Sequence, residues 1–187
     1  MAILSSELKS QFFEIPEQKR HAQQPFSVRV WRALSWLKRS EAADDMEGKL
    51  LSLWIAFNAS YGQDESAGIP KSARSNWQEF LTKVSEHDRN DLLGAILREH
   101  ETDAFHLIDN RYLYRPFWNN DSGWEDKFTA ARRSVMIKMS KGYTLPVLIE
   151  LFDRMYLLRN QIFHGAATSG SKLNRPSMEQ CTTLIQD

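Results

Sequence analysis

The sequence predicts an all-α fold, an antiparallel helical bundle with one irregular aromatic connection. Three observations carry this prediction. Apolar residues recur three and four positions apart through most of the chain, the spacing of a buried helix face. No stretch alternates β-branched and polar residues with the period of two that a half-buried strand needs. Only eight glycines and six prolines interrupt 187 residues, so breaks are sparse and helices can run long.

The first helix is read over residues 27–43, where Val30, Trp31, Leu34 and Leu37 fall at helical spacing behind the start signals Pro25 and Ser27. The second, 45–61, repeats the rhythm in Met46, Leu50, Leu53, Trp54, Phe57 and Tyr61, and Gly62 stops it. Trp31, Trp36 and Trp54 sit at helical positions and are read as core residues. Residues 63–75, with Gly68, Pro70 and several serines, form a loop. Trp77, Phe80, Leu81 and Val84 mark a third helix, residues 88–100 a fourth, and residues 104–109 a short helical piece.

Residues 110–124 combine Tyr112, Tyr114, Phe117 and Trp118 with Asn, Pro and Gly, and are read as the irregular connection. A basic amphipathic helix follows over 125–142, with Phe128, Val135, Ile137 and Met139 set against Lys127, Arg132, Arg133, Lys138 and Lys141. The longest helix covers 144–164; Pro146 stands in its first turn, where a missing backbone N–H costs little. Gly165 and Gly170 open a mobile turn, and residues 176–187 start one more helix. The whole, 1–187, is read as one domain with its core over about 27–165.

Composition narrows function by exclusion. Apolar residues make up 42% and charged residues 26%, with a formal net charge of zero, the balance of an ordinary globular domain. A neutral chain does not coat nucleic acid by bulk electrostatics, though a small local basic site remains open to it. The single cysteine, Cys181, allows no internal disulfide framework and suits a reducing compartment. The first residues carry no basic region followed by an apolar core, and no apolar run approaches the roughly 20 residues of a membrane span. The expectation is a cytoplasmic protein with no membrane partner.

The residues with most chemistry are Arg159-Asn160-Gln161-Ile162-Phe163-His164-Gly165, closing the long apolar helix. Asn160 and His164 are four apart and share a stripe, and Arg159 lies about 100° to one side. Arginine presents a fixed, always charged fork that matches phosphate oxygens, and histidine changes charge near neutral pH. Spacing alone equally describes a helix end whose cations complement the dipole. The constellation holds no carboxylate pair, so hydrolysis through two acids is not suggested. His21, His87, His100 and His106 show no ligand pairing with nearby Cys, Asp or Glu, so neither metal nor cofactor is expected. Asn58, a polar residue in an apolar stripe beside Phe57 and Tyr61, reads either as a lining of the motif's cleft or as a satisfied core asparagine.

Arg159, four intervening residues and His164, with Asn after the Arg and Gly after the His, resembles the motif of the HEPN superfamily, the higher eukaryote and prokaryote nucleotide-binding domains. The run from Leu53 to Gly62 (LWIAFNASYG) is similar to the early helix of a bacterial, ApeA-like HEPN branch. Asp109-Asn110-Arg111-Tyr112 and Pro116-Phe117-Trp118 resemble the middle of that branch, so the likeness covers residues 29–165. It implies a bundle that forms a homodimer and brings two motifs to the interface. It also implies a metal-independent ribonuclease in which the ribose 2′-hydroxyl attacks the adjacent phosphodiester. In that role His164 would assist proton transfer, Arg159 would stabilise charge on phosphorus, and Asn160 would position the ring or substrate. Apart from the resemblance, Arg132 and Arg133 on the basic helix are read as a local track for RNA or as a solvated helix face, and Asn58 is the remaining candidate for substrate binding. The biology implied is phage defence or a toxin–antitoxin pair, with an antitoxin or regulatory protein as partner. A non-catalytic HEPN module that binds nucleotide or protein, and a purely structural dimerisation bundle, remain as alternatives.

Overall fold

The computed structural model describes residues 4–62, 73–166, 168–170 and 172–187. Among them there are eleven α-helices, one 3-10 turn and no strand, so the protein is all-α. By packing, the chain divides into two compact units, residues 1–77 with 185–187, and residues 78–184.

The first unit opens with α1 (Ser5–Glu14) and α2 (Glu17–Ala22), neither of which the sequence pattern predicted. They pack on α3 (Gln24–Glu41), which packs along α4 (Met46–Tyr61). The start of α1 is held from a distance: the Ser5 hydroxyl donates to the Glu41 carboxylate at 2.7 Å, and the Ser5 N–H donates to its other oxygen. On α4 the Asp45 carboxylate caps the first turn by accepting from Gly48 N–H at 2.6 Å. Leu50, Leu53 and Trp54 are buried on that helix, as the pattern required. Trp31 and Trp36 are not core residues: Trp31 is 47% exposed, edge-on to Phe13 at 5.9 Å and beneath the Lys9 ammonium at 5.0 Å. Of the expected loop over residues 63–75, positions 63–72 lie outside the described residues, and Ala73 to Ser75 already belong to α5 (Ala73–His87).

In the second unit, α6 (Leu92–Glu99) is shorter than expected because Asp88 stays outside it as a cap, accepting from the N–H groups of Leu92 and Leu93 at 2.8 Å each. Next comes α7 (Glu101–Asp109). The expected irregular connection contains ordered pieces, a 3-10 turn (Arg111–Leu113) and the one-turn α8 (Arg115–Trp118). Helix α9 (Trp124–Ser140) buries Val135 but leaves Ile137 exposed, against the amphipathic reading. The two residues are about 200° apart on a helix and cannot share a face.

Helix α10 (Thr144–Phe163) packs against α6, α7, α9 and the 3-10 turn. Its buried Val147, Leu151, Met155 and Leu158 form the core of this unit with Ala104, Leu107 and Ile108 of α7. Each such side chain contributes about 1.5–3 kcal/mol by leaving water. Helix α11 (Arg175–Gln186) buries Met178 and Cys181 and is tied to the end of α7 by Asn110 Nδ2 donating to Ser177 Oγ at 3.0 Å. No helix among the described residues is long and apolar enough to cross a membrane.

Candidate functional site

Helix α10 ends because Gly165 takes a left-handed conformation, φ +71°, that an L side chain would strain. His164 becomes the C-cap, its N–H donating to the Asn160 carbonyl at 3.0 Å, and Gly165 N–H donates to the Ile162 carbonyl at 3.2 Å. The last turn of the helix is thereby closed on itself, and it carries the three predicted site residues.

Phe163, to which the sequence pattern assigned no role, organises them. The Arg159 guanidinium carbon lies 4.4 Å from the centre of its ring, an i,i+4 cation–π contact. The His164 imidazole meets the same ring edge-on at 5.3 Å. Arg159 also donates to Asn160 Oδ1 at 2.9 Å, while its Nε has no hydrogen-bond partner. Phe163 is 60% exposed and His164 is exposed, while Arg159 and Asn160 are half-buried. Asn160 uses its side-chain carbonyl on Arg159, which leaves its amide N–H groups for another partner.

The remaining predicted residues are placed elsewhere. Arg132 on α9 pairs with Asp109 at 2.5 Å and lies 5.3 Å from the Phe105 ring. Its neighbour Arg133 is exposed. Asn58 belongs to the first unit, where its Oδ1 accepts from the Tyr61 hydroxyl at 2.6 Å. Among the other histidines, His21 lies 3.4 Å from Glu17, His100 lies 3.9 Å from Asp103, and His106 shares a 3.1 Å contact with Gln180.

Sequence reasoning missed two polar residues of α10 that hold the aromatic connection. Arg154 is 3% exposed and donates to the Leu113 carbonyl at 3.0 Å, its guanidinium carbon 4.5 Å from the Tyr114 ring and 5.8 Å from that of Phe128. Burial pulls its pKa below the usual arginine value, against the opposing pull of Glu150, Tyr114 and Asp153. Burial likewise pushes the Tyr114 phenol up, with Arg154 pulling the other way. Gln161, inside the motif, donates through Nε2 to the Tyr112 carbonyl at 2.9 Å. Arg154 and Gln161 are seven residues apart and lie on one stripe of the helix. They hold two consecutive carbonyls of the connection.

Comparison with protein-family models, with curated proteins and with solved structures finds no match. What the fold and the site define together is a class: an all-α protein with an Arg–Asn–Phe–His cluster at the C-terminus of its longest described helix.

Proposed function

We propose that this protein is a metal-independent endoribonuclease of the HEPN type, acting as a homodimer. The observation that carries the reading is that Phe163 meets both the Arg159 guanidinium and the His164 ring, with Asn160 bonded to Arg159, at one helix end. A phosphodiester seated there meets a guanidinium that neutralises its developing charge and an imidazole that can exchange a proton near neutral pH.

The reaction is a transesterification. The ribose 2′-hydroxyl loses its proton to a base and its oxygen attacks phosphorus. The bond to the 5′ oxygen breaks, and that oxygen takes a proton from an acid. The products are a 2′,3′-cyclic phosphate and a 5′-hydroxyl. One imidazole per chain supplies one of these proton transfers, and a two-fold axis supplies the second copy. Arg159, held by the Phe163 face and by Asn160, stabilises the pentacoordinate phosphorus, while the free amide of Asn160 addresses the substrate. Phage defence or a toxin–antitoxin pairing, a regulatory partner and a cytoplasmic site of action rest on the HEPN resemblance alone.

A second reading, a non-catalytic nucleotide- or protein-binding module, is favoured by the contacts that Arg159 already makes within the helix. Its guanidinium already has an intramolecular ring and a carbonyl partner. The two readings part on one experiment: incubation of the purified protein with RNA in excess chelator. The nuclease reading expects cleavage with cyclic-phosphate ends, lost in Arg159→Ala and in His164→Ala while the dimer persists on a sizing column. Binding of nucleotide through Arg159 without cleavage selects the module. Loss of fold or dimer in both variants, with no RNA chemistry in the parent, leaves a structural bundle.

A further inference from the structure

The geometry points to Trp118 as a nucleobase-stacking residue beside the Arg159–His164 cluster, with Gln161 as the residue that positions it. This inference rests on the ribonuclease reading for the identity of its ligand, a single strand of RNA.

One oxygen links the two features. The Tyr112 carbonyl accepts from Gln161 Nε2 at 2.9 Å and from the Trp118 indole N–H at 2.7 Å, which uses both of its lone pairs. The indole nitrogen is therefore no more than two hydrogen-bond lengths from a side chain of the motif itself. Gln161 is three residues before His164, close to it on the same side of α10. Trp118 thus stands on the His164 side of the cluster, whereas Arg159, two residues before Gln161, lies about 160° round the helix.

The exposure of Trp118 has no local explanation. A surface tryptophan often keeps its N–H wet while its ring is covered. Here the arrangement is reversed: the N–H is satisfied within the protein, and the residue is 56% exposed. The indole is also held, by the carbonyl on one side and by the Phe117 ring edge-on at 5.2 Å. An exposed aromatic side chain held on two sides loses little entropy on stacking a flat ligand.

The connection carries two arginines against the single carboxylate of Asp121, a balance that favours an anionic ligand. Arg111 and Arg115, the two cations of this connection, are both exposed, and Arg111 lies 5.0 Å from the Tyr112 ring centre while donating to its hydroxyl at 3.0 Å. A single strand offers unstacked bases to such a face, whereas a duplex hides them.

The test uses the full chain carrying His164→Ala, which the ribonuclease reading leaves able to bind but not to cut. Anisotropy of a fluorescein-labelled single-stranded RNA measures affinity, with the same RNA carrying one abasic nucleotide at successive positions. Trp118→Ala is expected to weaken binding roughly tenfold, the typical value of one stacked base, and Trp118→Phe to restore most of it. At one position the abasic loss and the Trp118→Ala loss should not add, because both remove the same contact. Gln161→Ala should weaken binding less and leave the abasic profile blurred rather than abolished. In the cleaving parent, Trp118→Ala should raise KM with kcat little changed.

Equal affinity of Trp118→Ala and its parent for RNA overturns the inference and leaves the ribonuclease reading standing. Additive losses at every abasic position also overturn it. Trp118-dependent binding without cleavage by the unmutated chain keeps the stacking residue and removes the ribonuclease. Absence of any RNA binding removes both.

Discussion

Replacing Arg154 by alanine and, separately, by methionine measures what a buried guanidinium contributes to this fold. Alanine removes the hydrogen bond to the Leu113 carbonyl and the contacts with the Tyr114 and Phe128 rings, and opens a cavity in the packing of α10. A hydrogen bond from a charged group is worth about 1.5–3 kcal/mol, and a desolvated cation–π contact up to about 2 kcal/mol. Against these stands the desolvation of the guanidinium, which the lowered pKa reports and which the unpartnered Nη2 makes worse. The gains and the relief partly cancel, so alanine should cost about 2–4 kcal/mol.

Methionine fills much of the same volume without the charge, and replacement of a buried ion by a packed apolar side chain is often close to neutral. It should cost about 0–2 kcal/mol. Urea unfolding followed by far-UV circular dichroism gives both values. With a slope of roughly 2 kcal/mol per molar urea, the alanine midpoint falls by about 1–2 M and the methionine midpoint by under about 1 M. A methionine variant as unstable as the alanine variant would show that the hydrogen bond dominates and the packing argument is wrong. An alanine midpoint within about 0.2 M of the parent would refute the whole account.

Four further outcomes follow from particular contacts. Phe163→Ala should lower stability by under about 1 kcal/mol, since its ring is exposed, yet reduce any RNA cleavage by more than tenfold by releasing Arg159; equal cleavage rates would remove Phe163 from the site. Gly165→Ala should cost about 1 kcal/mol through its left-handed φ, read as a lower melting temperature. Glu41→Ala should cost about 1 kcal/mol and speed proteolysis within α1, because Ser5 loses its cap; an unchanged cleavage pattern would argue against that cap. Burial pushes the Cys181 thiol above its ordinary value of 9.0. The native state then holds a proton that the unfolded chain releases, so stability is full below about pH 9 and falls as pH rises through it. Cys181→Ala should flatten that alkaline slope, and the native thiol should react with a disulfide reagent only on unfolding.

The success and the failures of sequence reasoning here have one cause, which is whether the information is local. Helix α10 is readable to within one residue because its apolar stripe lies within it and its stop signal, Gly165, follows directly after its cap. Helices α1 and α2 were not, because α1 is held by Glu41, 36 residues away, and by Trp31, neither of which a local window connects to it. Trp31 and Trp36 were placed in the core on helical spacing, but five residues set them about 140° apart, so one face cannot bury both. Leu34, 60° from Trp31, is the residue that face buries. Asn110 to Trp124 reads as irregular because part of its order comes from outside, from carbonyls held by α10.

Arg154 and Gln161 could have been found. The buried stripe of α10 runs Val147, Leu151, Arg154, Leu158, in steps of four, three and four, and Gln161 is the next step of three. An arginine in such a stripe has to be answered by acceptors or rings from another element, because a buried unpaired charge is too costly to keep. The same holds, more weakly, for a glutamine one step further. Two polar residues continuing an apolar stripe therefore announce a segment packed against that face, and the aromatic connection was the free segment nearest in sequence. The Arg-to-His spacing by itself describes a helix end as well as it describes a site. The stripe beside it, read for its polar members, assigns that end a second wall.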